Sequence, residues 1–299
     1  MTPDSGANYV ITASESGFST LATIAASGSL VPTYPNQKLI AQNSSIVTLT
    51  INPEGTNSLV LETTDVSGHP LPNAKIYVKG GYKQYTLTSN TAYYYDTLSP
   101  SDTRPVTDSG GFAGMASLVP ADYIFCGDGG ATSCSVGGTT YYLAAAVPYG
   151  GSNAFNPINV PSYSASNPPA TTYTYNGIAY LQKVRLLLTT NANFPRINTL
   201  TPSTVSLSAD TLSSLAFNIT GVNLPCSNNA NSCNTKVSFL QGSTNYPASC
   251  TGAASGLLLN CTVNLSTAAT GNMQLVVIAN GNTFTLPGSP LLGGFIVTP

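Results

Sequence analysis

The chain has 299 residues, of which nine are Lys or Arg and eleven Asp or Glu, giving a formal net charge of −2 and a charged fraction of 7%, against about 25% in ordinary domains. Such a composition leaves no basic face for nucleic acid, and no apolar run reaches the roughly 18 residues of a membrane-spanning helix. The hydrophobic share of 42% is enough for real cores and excludes a disordered tract, so the surface must be covered by Ser, Thr, Asn, Gln and Gly. With so few carboxylates to protonate, weak sensitivity to acid is expected.

The N-terminal MTPDSGANYV lacks a basic n-region and an apolar h-region, so it does not read as a signal peptide. Short alternating runs rich in Val, Ile, Thr, Tyr and Leu then recur at residues 8–13, 46–51, 58–64, 75–79, 141–147, 181–189, 215–220 and 274–278. Gly, Pro, Asn and Ser turns separate them, which is the pattern of β-sandwiches, and helix signals are nearly absent. Boundaries are expected at residues 52–56 (NPEGT) and 189–195 (TTNANFP). Within the middle segment, a strand over 58–64 should turn at 66–69, and the Pro70-Leu71-Pro72 piece restricts the backbone before the strand that begins at Ala74, which is expected to face the core. The stretch 107–111 (TDSGG) is a further turn signal. A strand over 112–118, a turn at 119–122 and an extended piece over 123–126 should follow.

Six cysteines fall in three close pairs: Cys126 with Cys134, Cys226 with Cys233, and Cys250 with Cys261. Six allow fifteen connectivities, and the local grouping points to neighbour pairing. None forms a C-x-x-C pair, and one histidine offers a metal little help. Disulfides closing such loops stabilise by about 2–3 kcal/mol each and persist in oxidising compartments, so an extracellular location is expected. The absence of a leader then implies that Met1 opens a piece of a longer exported protein.

Two stretches carry a family resemblance. LETTDVSGHPLPNAKIYV and TDSGGFAGMASLVPADYIF resemble the carboxypeptidase regulatory-like (transthyretin-like, Cna-B-related) β-sandwich family over residues 58–78 and 107–125. Asp122 stands where that family commonly has Gly. The piece 80–105 and the excursion 148–177 are longer than the family pattern, with closing strands expected at 141–147 and 180–189. GANYVITASESGF, at 6–18, resembles the ending of another such domain, with 45–51 as its last strand. Residues 194–297 resemble the IPT/TIG immunoglobulin-like family through PRINTLTPSTVSL, LAFNITGVNL, NTKVSFLQGS, LLLNCTVNL and GGFIVTP. The resemblances imply an all-β chain of tandem immunoglobulin-like and transthyretin-like sandwiches: a partial domain over 1–53, a sandwich with long insertions over 54–191, and a third over 192–299.

Catalytic signals are weak. Any Ser-His-Asp arrangement must use His69, the single histidine, which sits in the turn beside Asp65, and no G-x-S-x-G elbow presents a serine. Glu15, Glu54 and Glu62 lie in separate elements, and Asp65, Asp108, Asp122 and Asp128 sit mostly in turns without calcium-loop spacing. No catalytic residue, cofactor or metal site is therefore expected. An intramolecular isopeptide bond, known in Cna-B-like adhesins, would draw on Lys75 or Lys183 with Glu62, although no late-strand Asn fits. The best binding candidates are tyrosines, whose rings give apolar area with a polar tip: Tyr93, Tyr94, Tyr95, Tyr163, Tyr173 and Tyr175, beside Tyr141, Tyr142 and Tyr180. Glycosylation sequons begin at Asn43, Asn218, Asn260 and Asn264. The expected function is a non-catalytic extracellular surface protein, such as the exposed part of an adhesin or minor pilin. Its partners would be other surface or pilus subunits or glycans; the alternatives are a carbohydrate-binding module of a secreted enzyme and a filament subunit.

Overall fold

The computed structural model describes residues 57–85, 91–98, 102–118, 121–127, 130–149, 157–160, 169, 171–209, 212–226, 233–252, 255–286 and 295–299, with the backbone alone at 81–85, 91–96, 117 and 130. It also gives the backbone of five short strands, β1 (Asn8–Tyr9), β2 (Thr12–Ala13), β3 (Leu21–Thr23), β4 (Thr33–Tyr34) and β5 (Gln37–Lys38). The strand expected at 46–51 lies outside the described residues. Apart from two 3-10 turns, Gly130–Thr132 and Leu212–Ser214, every regular element described is a strand, and the fold is all-β. No helix among the described residues is long and apolar enough to cross a membrane.

The middle region contains β6 (Asn57–Asp65), β7 (Ala74–Lys75), β8 (Val78–Tyr85), β9 (Thr91–Asp96), β10 (Phe112–Leu118), β11 (Ala121–Phe125), β12 (Cys134–Val136), β13 (Thr139–Pro148), β14 (Ile158–Val160), β15 (Tyr173–Tyr175), β16 (Ile178–Tyr180) and β17 (Gln182–Thr189). One sheet has the order β10-β6-β17-β13-β12-β7, with β6 and β17 parallel, and a second runs β14-β11-β8-β9. The faces between them close on Leu59, Leu61, Val184, Leu186 and Leu188 against Val78, Tyr123, Phe125, Ile158 and Val160, all buried.

Turn chemistry sets the corners. Asp65 Oδ1 accepts the backbone N–H of Ser67 and His69 at 2.8 and 2.9 Å, and Gly68 takes a φ of 91°. Asp108 Oδ1 does the same for Gly110 and Phe112, as short polar side chains do in tight bends. Ala74 is fully buried, as expected.

Three details depart from the expected elements. The strand expected at 75–79 splits, because the chain crosses from one sheet to the other at Ile76 and Tyr77, both buried. The turn expected at 119–122 ends early: β11 begins at Ala121, and Asp122 pairs with Asn159 of β14. The 148–177 excursion contains β14 and β15. Its last strand joins β16 through Asn176 and Gly177, both at positive φ (49° and 75°), which is the requirement of a type I′ hairpin turn.

The C-terminal region contains β18 (Arg196–Thr201), β19 (Thr204–Ser206), β20 (Leu215–Val222), β21 (Lys236–Gln241), β22 (Thr244–Gly252), β23 (Leu258–Val263), β24 (Gly271–Ala279), β25 (Asn282–Leu286) and β26 (Phe295–Thr298). These form one nine-stranded sheet curled around a core in which Phe239 lies 5.1 Å from Phe217 and 4.8 Å from Phe295 between ring centroids. Two of its strands alternate strictly, β20 and β23: in β20, Leu215, Phe217 and Ile219 are buried while Ala216 and Asn218 are exposed.

The expected boundary at 189–195 is pinned. Asn223 Nδ2 donates to the carbonyls of Ala192 and Phe194 at 2.6 and 3.0 Å, Asn191 Nδ2 to Asn282 Oδ1 at 3.0 Å, and Asn280 Nδ2 to Asn193 O at 3.3 Å. Ala145 and Val147 of β13 and Leu187 of β17 join the C-terminal core cluster. The cysteines pair as Cys126–Cys134, Cys226–Cys233 and Cys250–Cys261, with Cα separations of 5.0, 4.2 and 4.1 Å. The last joins directly opposed residues of β22 and β23.

Candidate functional site

The outer face of the six-stranded sheet carries the half-buried charge of the middle region. Side chains alternate across a strand, so Lys183 and Arg185 of β17 share the face opposite the Val184–Leu186 core pair. The parallel register sets Arg185 beside Glu62 and Lys183 beside Val60 on β6. Tyr149, just past β13, is held there by its backbone N–H, which donates to Lys183 O at 2.9 Å.

Four side chains thereby converge. Lys183 Nζ lies 2.8 Å from Glu62 Oε2, and an Arg185 terminal nitrogen 2.8 Å from Glu62 Oε1. The Tyr149 hydroxyl donates to Glu62 Oε2 at 2.6 Å and accepts from Arg185 at 2.7 Å. Burial acts to raise the Glu62 pKa, but the donors Lys183, Tyr149 and Arg185 outweigh it and hold it below the usual carboxylate range. The Tyr149 phenol is pushed well up, first by burial and then by its hydrogen bond to Glu62 and the charge there. Two cations against one carboxylate leave an excess positive charge.

Rings wall this cluster. Lys183 Nζ stands 4.2 Å from the Tyr149 ring centroid and 5.0 Å from that of Phe112, within range of a cation–π attraction. The β15–β16 hairpin supplies Tyr173, whose hydroxyl donates to Tyr149 O at 3.3 Å, and Tyr175, whose hydroxyl donates to Phe112 O at 3.1 Å. The third hairpin ring, Tyr180, packs over Gly114, where a Cβ would strike its hydroxyl; only glycine lets the hairpin lie this close. Between hairpin and sheet is a cleft of about 340 Å³ lined by Phe112, Tyr173, Tyr175, Lys183 and the hydroxyl-bearing Thr172 and Thr174 over Val60.

Of the tyrosines singled out from sequence, Tyr173 and Tyr175 line this cleft. Tyr93, Tyr94 and Tyr95 run along β9, the edge of the other sheet, with only their backbone described; Tyr163 lies outside the described residues. Tyr142 faces Arg196 instead, at 5.5 Å, and Tyr141 packs on the middle core. His69 is exposed, its Nδ1 at 2.9 Å from Asp65 Oδ2. Lys75 is exposed on β7 at the far edge of the sheet from β10. Lys183 meets Glu62 and two rings rather than an asparagine. Asp122 accepts from Asn159 Nδ2 at 2.9 Å; Asp128, Glu15, Glu54 and Asn43 lie outside the described residues. Among the described residues no three His, Cys, Asp or Glu side chains converge as a metal site requires. Sequon residues Asn218 and Asn260 are exposed and directly opposed across β20 and β23. Asn264 Oδ1 accepts from the Ser266 N–H and hydroxyl.

Phe112, Tyr149 and Arg185 were not expected at the site. The two-residue spacing of Lys183 and Arg185 on one strand was the available signal, and so was YTYNGIAY, which spells a hairpin with Asn-Gly at its turn. The chain matches no family model, and no curated protein is significantly similar to it.

Proposed function

We propose that the chain is a non-catalytic extracellular surface protein, the exposed part of an adhesin or minor pilin, whose β-sandwiches hold shape while the aromatic cleft contacts a partner. The carrying observation is the cleft itself: three rings and a partly buried ammonium lining one concavity of a charge-poor chain, a composition suited to binding. The non-catalytic reading is supported by Glu62, whose carboxylate is already occupied by three donors, and by the exposed turn position of His69. The disulfides support the extracellular reading. The resemblances to transthyretin-like and IPT/TIG-like domains, which occur in series on bacterial surfaces, support the adhesin or pilin reading by analogy. The second reading, a carbohydrate-binding module of a secreted enzyme, is favoured by the same cleft. A glycan array combined with negative-stain microscopy separates the two. Filaments or surface attachment lost in Tyr173→Ala support the first; sugar binding lost in that variant, without assembly or attachment, supports the second. Attachment unchanged in Tyr173→Ala would refute the role given to the cleft.

A further inference from the structure

A cluster built only to staple strands would balance its charges and close over them. This one keeps an excess cation, and the cation that lines the cleft is Lys183, whose ammonium carries three donors of which one is directed at Glu62. The Lys183 side chain retains 18% exposure. Beside it, Arg185 supplies the second cation of the cluster, so the floor of the cleft holds donor capacity at Lys183 that Glu62 does not use. A ligand acceptor meeting this floor gains a charge-assisted hydrogen bond. Two carboxylates would oppose an anion: Glu62, whose single charge is exceeded by the two cations Lys183 and Arg185, and Asp108, which touches Tyr175 and whose Oδ1 accepts from the backbone N–H of Gly110 and Phe112.

The walls narrow the ligand further. Phe112 and Tyr175, whose centroids stand 6.2 Å apart with a tilt of 41°, both line the cleft and give apolar ring surface for the C–H groups of a pyranose. Thr172 and Thr174 offer hydroxyls to its hydroxyl groups, and the cleft volume of about 340 Å³ stands at the small end of the roughly 300–1,000 Å³ of ligand pockets.

We infer that the cleft binds a uronic acid unit of an acidic polysaccharide, with the Lys183 ammonium holding the carboxylate and the Phe112, Tyr173 and Tyr175 rings lying along the sugar. The inference rests on reading the cleft as the contact site, and it specifies the chemistry of what is contacted.

Titration calorimetry of the whole chain at low salt, with trigalacturonate, neutral galactotriose and an acetylated Glu-rich tripeptide as probes, tests it. Trigalacturonate should bind with a Kd on the order of 0.1–1 mM, at least about tenfold tighter than galactotriose, and should weaken as salt approaches physiological strength. Lys183→Gln should lose about tenfold for trigalacturonate and little for galactotriose. Because this change also strips a partner from Glu62, Tyr173→Leu is the second variant; lying outside the charge cluster, it should weaken both sugars about fivefold. Equal binding of the two sugars, both lost in Tyr173→Leu, would overturn the uronate and leave the contact site standing. Preference for the peptide would do the same in favour of an acidic protein partner. Failure of all three probes to bind would overturn the uronate, and surface attachment unchanged in Tyr173→Leu would then remove the contact site as well.

Discussion

Of nine Lys and Arg and eleven Asp and Glu, only Arg196, Asp210 and Lys236 fall after residue 195. The C-terminal region therefore relies on alternating strands such as β20 and β23, phenylalanine packing and largely neutral Asn, Thr and Ser on its outer face. The middle region places one group of charges, Glu62, Lys183 and Arg185, on a sheet face that is partly covered. Its β6 is buried almost end to end, from Asn57 to Thr64, because the inner face meets the second sheet while the outer face meets the charge cluster and the hairpin. A sheet used on both faces has room for a charged site between its layers, whereas the sheet curled around a single core presents an exterior of neutral polar residues with a few exposed apolar ones, Leu257, Leu258 and Ile278. The two regions also share apolar contacts through Ala145, Val147 and Leu187, so a test of one reports on the other.

The largest effect comes from the C-terminal core. Phe239 is fully buried between Phe217 and Phe295, and Phe239→Ala should cost about 3–5 kcal/mol. All tyrosines but Tyr246 precede residue 196, so tyrosine near-UV circular dichroism follows the middle region while calorimetry follows the whole. If the shared cluster couples the regions, both signals move down together. A tyrosine transition left at its original temperature would break that coupling and make the regions independent.

Next is Glu62→Gln, which removes the carboxylate from between Lys183, Arg185 and Tyr149. Breaking a buried pair costs about 3–5 kcal/mol; with Lys183 and Arg185 retaining 18% and 25% exposure, about 1–2 kcal/mol is expected in chemical denaturation. A neutral result would mean that the cluster adds nothing to folding and would strengthen its assignment to binding.

Acid should separate the regions further. Glu62, Asp65 and Asp108 have lowered pKa values, and Arg104 holds Asp102 at about 2. For each, the unfolded chain takes up its proton at a higher pH than the folded one, so the stabilisation is present above the unfolded pKa and fades as pH falls through the folded value. Stability should thus decline gradually below about pH 4.5 and continue to fall toward pH 2, through groups that, among the described residues, all lie in the middle region. Glu62→Gln should flatten that decline in a pH series of melting temperatures. A steep loss that persists in the variant would place the acid sensitivity elsewhere.

How much of this was legible follows from the range of each interaction. The strands at 58–64, 112–118, 141–147, 181–189 and 215–220 were readable because alternation and turn residues are local signals. The neighbour pairing of the cysteines was open to spacing alone. Ala74 was expected to face the core, and it is fully buried. The charge cluster was not legible, since it depends on the parallel register of β17 on β6, two strands about 120 residues apart in a chain whose turns do not fix that pairing. The hairpin carrying Tyr173 and Tyr175 had an explicit Asn-Gly signal but was hidden in a stretch that reads by composition as a loop. The boundary at 189–195 reads as a linker because Asn and Thr are loop residues, yet those asparagines and their partners are what fix it.

The smallest expected effect is at His69, the one side chain in the sequence that chemistry alone would single out. Its Nδ1 lies 2.9 Å from Asp65 Oδ2, but the side chain is 78% exposed, and an exposed pair of this kind contributes little. The bend is held instead by backbone: Asp65 Oδ1 accepts from the Ser67 and His69 N–H, and Asp65 N–H donates to His69 O at 2.8 Å. His69→Ala keeps every one of those bonds. It should change stability by less than about 0.5 kcal/mol and leave sugar binding unchanged, as read by melting temperature and calorimetric titration. By contrast Asp65→Ala, which removes the acceptor for two backbone donors at the corner between β6 and β7, should cost about 1 kcal/mol. If His69→Ala proved the more damaging of the two, the histidine would have a role that the geometry of its turn does not provide.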